Sequence, residues 1–185
     1  MKKTFIILFC SLVLFSCEQA PLIEDYKIEG ISLGDSLLDL MTEGEIKKDI
    51  IKSKVMYDYR GDDFAQINLN KGLKTYEELN FFIKPNDSKY IIYAIFGDLY
   101  FSNIDLCFKK QNKISEEFTN KYKDTEKTNG NKKFEGGEFR YIYFDFKSGD
   151  RIGIQCYKYY KDDSNSLAIS LSKKDVITWG SIWKQ

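Results

Sequence analysis

Two apolar runs separated by a four-residue turn constrain this chain more than any other feature. Leu79 to Lys84 and Tyr90 to Phe96 are rich in Phe, Tyr and Ile, side chains that fit a pleated, half-buried surface. Between them lies Pro85-Asn86-Asp87-Ser88, in which Pro presets φ and Asn and Asp bond the local backbone. A chain carrying this pairing builds antiparallel sheet. Ile91, Tyr93 and Ile95 alternate with Tyr90, Ile92, Ala94 and Phe96, so both faces of the second run are apolar. That predicts a central strand covered on both sides, or one whose tyrosines line a surface. The pattern returns later. Phe139 to Phe146 and Arg151 to Tyr159 flank Lys147-Ser148-Gly149-Asp150, and Asp162-Asp163-Ser164-Asn165 turns into a last strand holding Leu167, Ile169 and Leu171. A shorter strand with Phe64, Ile67 and Leu69 follows the turn Gly61-Asp62-Asp63, and Gly97-Asp98 is expected to bend the chain into Leu99-Tyr100-Phe101.

Helical signals precede each group of strands. After Gly34, Asp35 or Ser36 can cap a short helix carrying Leu37, Leu38, Leu40 and Met41. Thr42-Glu43-Gly44-Glu45 has the form of a capping box, with a helix from Glu43 to about Lys52 placing Ile46, Ile50 and Ile51 on one face. Asn103 can cap a longer helix in which Ile104, Cys107, Ile114, Phe118 and Tyr122 recur at helical spacing. Lys123 to Gly137 is polar and glycine-rich, a loop or a long hairpin. The expected fold class is α+β: short helices followed by an antiparallel meander, with an order that suggests two units in tandem, residues 30–102 and 103–185. A single domain whose strands merely look alike is the alternative.

The 28 basic and 28 acidic residues balance, and they are interspersed, so the chain lacks the basic footprint of a nucleic-acid binder. There is no His, which excludes Ser-His-Asp and Cys-His catalysis and His-ligated zinc. Serine nucleophile elbows and phosphate-cradling glycine loops are absent. Asp62-Asp63 and Asp162-Asp163-Ser164-Asn165 lack the spacing and Gly of a calcium loop and read as solvated turns. No cofactor and no metal site is expected, and no catalytic activity.

The N-terminus gives a location. Lys2 and Lys3 precede an apolar stretch from Thr4 to Phe15, too short for the roughly 20 residues that span a bilayer, and the chain turns polar at Glu18. Leu14-Phe15-Ser16-Cys17 resembles the lipobox of bacterial lipoproteins. The resemblance implies that residues 1–17 form a signal segment cut before Cys17, and that Cys17 then carries a diacylglycerol and an acylated amine. Several chains at ~0.8 kcal/mol per buried CH₂ anchor such a protein permanently. Glu18, in place of the Asp that favours inner-membrane retention, points to the outer membrane, facing the periplasm. Residues 18–29 read as a tether. Losing Lys2 and Lys3 leaves 26 basic residues against 28 acidic. Two short helices and a meander behind a lipobox also resemble the SmpA/OmlA small lipoproteins of the outer-membrane barrel-assembly machine. The doubled form resembles the β-lactamase-inhibitor-protein fold, and the run Ser32 to Asp39 resembles other envelope lipoproteins. Only Cys17 takes a role from these resemblances.

Cys107 and Cys156 lie outside the leader. In an oxidising compartment they form a disulfide or stay as two buried thiols. Tyr141, Tyr143, Tyr157 and Tyr159 are candidates for an aromatic partner-binding surface, against a plain role as sheet residues. Trp179 and Trp183, four apart, clamp the tail onto the core or present an anchor; the clamp is favoured. The expected function is a non-enzymatic, lipid-anchored envelope protein that binds a protein partner at the membrane's periplasmic face. The alternative is a periplasmic binder of a small ligand or inhibitor of a secreted enzyme, which needs a concave, aromatic-lined face between the two units.

Overall fold

The computed structural model describes residues 22–56, 63–162 and 164–182. The leader and Cys17, Gly61 and Asp62 of one expected turn, Asp163 of another, and Trp183 lie outside the described residues.

The fold is α+β. Seven antiparallel strands form one sheet: β1 (Ala65–Leu69), β2 (Glu78–Ile83), β3 (Ile92–Phe101), β4 (Glu126–Phe134), β5 (Gly137–Asp145), β6 (Arg151–Tyr159) and β7 (Asn165–Ser172). Their spatial order is β1-β2-β3-β7-β6-β5-β4. Three helices accompany them: α1 (Glu43–Met56), α2 (Ile104–Lys121) and α3 (Lys174–Ile182). Each half of the chain runs helix then meander, three strands first and four afterwards, and the last strands of the halves, β3 and β7, pair with each other over Ala94↔Ser172 to Phe101↔Asn165. The two expected units therefore share one continuous sheet and one main core. An internal duplication is not shown by this order, because the strand numbers differ and α3 has no counterpart in the first half.

Local chemistry sets most element ends. The Ser36 hydroxyl accepts from the Leu38 N–H and caps a single 3₁₀ turn, Leu37–Asp39, shorter than the helix through Met41 that the sequence predicts. Thr42 and Glu45 close the capping box at the start of α1: the Thr42 N–H donates to the Glu45 carboxylate at 2.9 Å. The α1 helix runs a turn beyond Lys52, and Ile51, expected on its apolar face with Ile46, is instead 66% exposed. Asn103 caps α2 by accepting from Leu106 N–H at 3.0 Å.

One sheet face carries the main core. Leu167, Ile169 and Leu171 of β7 and Ile152, Ile154 and Cys156 of β6 point into it beneath α2. Cys107 of α2 and Cys156 of β6 form a disulfide with Cα atoms 5.9 Å apart. Gln111, fully buried on the same helix, donates to the carbonyls of Arg140 (3.0 Å) and Ile154 (2.7 Å), which fastens α2 to β5 and β6. Each bond satisfies a polar group that burial would otherwise penalise. On the other face α3 crosses near β3, and Trp179 packs with Val176, Ala94 and Phe64 in a smaller cluster. The β3 strand is thus central and covered on both sides, one of the two arrangements its sequence allows.

Two further expectations change. Gly97-Asp98 does not bend the chain; β3 runs straight through it. Gly97 is needed for a different reason, since a Cβ there would lie 2.7 Å from the Tyr76 ring packed over it. Residues 22–29 are not a free tether: Ile23 and Ile28 are buried, Tyr26 meets the Phe118 ring edge-on at 4.7 Å, and Glu24 pairs with Lys173. Apolar residues too sparse to show a period still find the core in three dimensions. Of the loop and the hairpin that the polar run after Lys123 allows, the hairpin forms: β4 pairs with β5 along its whole length, Glu126↔Asp145 to Phe134↔Gly137.

Candidate binding groove

The face opposite α2 carries a groove whose shape follows from side-chain size. On β7, Ser166, Ala168, Ser170 and Ser172 alternate with the large core residues and all point to this face. Gly153 on neighbouring β6 adds no side chain, and a Cβ there would lie 2.5 Å from Ser170 Oγ. A trough of small residues results along the middle of the sheet. Its walls are large: Phe82, Phe96 and Trp179 on one side, Tyr143, Tyr157 and Tyr159 on the other. The cavity volume is about 700 Å³, within the range of ligand-binding clefts.

The tyrosine wall is ordered by ring stacking, along each strand and across the β5–β6 pair. Tyr141 and Tyr143 stack at 4.6 Å between ring centroids, Tyr157 and Tyr159 at 5.9 Å, and Phe139 stacks on Tyr157 at 5.0 Å. The four tyrosines singled out from the sequence thus share one face, because all occupy odd positions on paired strands β5 and β6 whose even positions enter the core. Gln155 donates to the Tyr143 hydroxyl at 2.8 Å, and the Arg151 guanidinium lies over the Tyr143 ring at 4.5 Å while pairing with Asp145 at 2.6 Å. Burial pushes the phenols of Tyr143 and Tyr157 above their usual range. Trp179 belongs to the opposite wall, where it meets Phe64 at 5.5 Å and Phe82 at 6.0 Å. It clamps α3 to the sheet and lines the groove at once.

The floor is polar toward β2 and β1. Asn80 donates to Glu78 at 2.9 Å and accepts from Gln66 at 2.7 Å, and Asn68 also donates to Glu78. Asp98 stands directly opposite Glu78 in the register. Burial pushes its carboxyl up to about 6, the facing charge of Glu78 adds to the shift, and a hydrogen bond from Asn80 opposes it.

Sequence reasoning found the tyrosines and the tail tryptophan but not Asp98, Gln155 or the seryl row. The available signal was Ser166-Leu167-Ala168-Ile169-Ser170-Leu171-Ser172, a strict alternation of small and large residues. No helix among the described residues is long and apolar enough to cross a membrane. No family model matches the chain, and neither does any curated protein or solved structure.

Proposed function

We propose that this protein is a non-catalytic binding module, held at the periplasmic face of an envelope membrane by lipid on Cys17, that grips a protein partner in the groove of its open sheet face. The observation that carries the reading is the trough itself, flanked by α3 and walled by aromatic side chains. Tyr and Trp give large contact area at low entropic cost, which is what interfaces select. The lipobox supplies the location, and the histidine-free composition argues against common catalytic chemistries. The groove also lies where the two halves meet, which favours a second reading, a binder of a small ligand.

Site-specific photocrosslinking in intact envelopes tests the choice. A benzoylphenylalanine replacing Tyr100, which is 57% exposed on the same face as the groove residues, should give a discrete protein adduct. The same group at exposed Lys110 on α2 should give none. Adducts from neither position, or equal adducts from both, would refute a groove-centred partner.

A further inference from the structure

We infer that the outer edge of β4 takes up an extended, acidic segment of a partner protein as an eighth strand of the sheet, with side chains of that segment entering the cleft between β4 and α2. This edge is separate from the groove, and either surface can bind whether or not the other does.

The sheet has two edges, β1 and β4, and they are finished differently. The β1 strand is five residues long and lies against α1, whose Ser53 hydroxyl accepts from the Gln66 N–H at 2.9 Å. The β4 strand is nine residues long, holds no Pro and pairs with β5 in unbroken register. In an antiparallel ladder every second residue turns both its N–H and its C=O away from the paired strand, so an edge of this length presents roughly eight such groups along one line. No strand lies beyond β4, and among the described residues no hydrogen bond outside the β5 ladder reaches the backbone of Glu126–Phe134. A long edge that is neither bent nor covered is a template for a strand from another chain.

Charge selects the occupant. The strand carries Lys127, Lys132 and Lys133 against Glu126 alone, and none of the three lysines forms an ion pair with a described carboxylate. They serve both faces. Lys132 lies over the Tyr141 ring at 5.5 Å, whereas Lys127, opposite the core residue Phe144, is on the α2 side and donates to Thr119 at 3.0 Å. Opposite charges across a strand pair stabilise it and like charges destabilise it. The lysines therefore disfavour the β4 of a second copy and favour an acidic strand. The cleft beside the edge repeats the preference. Its volume is about 310 Å³, and it lies between Asn112, Ser115 and Glu116 of α2 and Lys127, Asn129 and Asn131 of β4. Arg140 of β5 also lines it, held by Gln111 at 2.6 Å and Asn112 at 2.9 Å. Side chains of an added strand that face α2 enter this cleft, where the cations Lys127 and Arg140 outweigh the one acid, Glu116.

The test uses the full lipidated chain in detergent micelles and three blocked heptapeptides, Thr-Xaa-Val-Xaa-Val-Xaa-Thr with Xaa glutamate, glutamine or lysine. Amide shifts and residue-resolved hydrogen exchange follow the binding. The glutamate peptide should slow exchange at alternate amides of Glu126–Phe134, those not bonded to β5, and should bind at least about tenfold more tightly than the lysine peptide. Reversing two exposed charges, Lys132→Glu together with Lys133→Glu, should invert that order. Equal binding of the three peptides, no effect on the β4 amides from any of them, or an order that the reversal leaves unchanged overturns the inference. A glutamate peptide that moves only groove amides, such as Tyr143 and Ser170, also overturns it while the groove reading stands. Protection of the same β4 amides that grows with protein concentration and needs no peptide would make a second copy the occupant, and the acidic segment would be wrong. The wild-type comparison of the three peptides needs no variant to fold.

Discussion

Asp98→Asn should stabilise the free protein at neutral pH, and by an amount that depends on pH. The carboxyl is raised from 3.8 to about 6 in the fold, first by burial and then by Glu78. A group whose folded value is raised contributes stability that is fully present below about pH 3.8 and is lost as pH climbs through about 6. A rise of that size is equivalent to about 3 kcal/mol. Water at the groove mouth screens part of this, so about 1–2 kcal/mol is the expected gain from removing the charge. Asn is nearly isosteric and keeps a side-chain oxygen to accept from Asn80. For a domain of this size the gain equals roughly 2–8 °C in Tm. Urea denaturation of wild type and variant, run in parallel from pH 3.5 to 7.5, reads the difference directly, since carboxylates not coupled to Asp98 cancel. The stabilities should coincide at pH 3.5 and separate between pH 4 and 6. A difference that is flat across this range, or a variant less stable at pH 7.5, would refute the account of Asp98 as an uncompensated charge.

Other substitutions probe the frame around the groove. Replacing both Cys107 and Cys156 by Ser opens a link between residues 49 apart; loop entropy puts the loss near ~4 kcal/mol, and a denaturation midpoint unmoved by the change or by reductant would contradict the disulfide. Trp179→Ala removes the ring that joins Phe64 and Phe82 beneath α3; about 3–4 kcal/mol should be lost, with the Asp98 and Tyr157 amides shifting as α3 loosens. Cys17→Ser should move the protein from the membrane pellet to the soluble fraction after carbonate washing, and a variant still in the pellet would remove the lipid from the functional reading.

Much of the fold was legible because it is local. The Thr42–Glu45 box, the Asn103 cap and the periodic Cys107, Ile114 and Phe118 depend on neighbours within a turn or two, and all stand in the structure. The strand runs were likewise readable from side-chain type. Where a reading failed, a distant residue had decided the outcome. Gly97 reads as a breaker until the Tyr76 ring that needs its empty face is in place. Ile23 and Ile28 look isolated until they meet the core.

The sequence by itself determined the class of elements, the lack of histidine chemistry, and the alternation that puts Tyr141, Tyr143, Tyr157 and Tyr159 on the face away from the core. It could not set which strands become neighbours. Pairing β3 with β7 is what brings the small residues of β7 between an aromatic wall from each half, and the β2–β3 register is what sets Asp98 against Glu78. A two-residue period fixes which way a side chain points. Only long-range pairing fixes what it points beside, and that is where the groove and its unpaired charge arise.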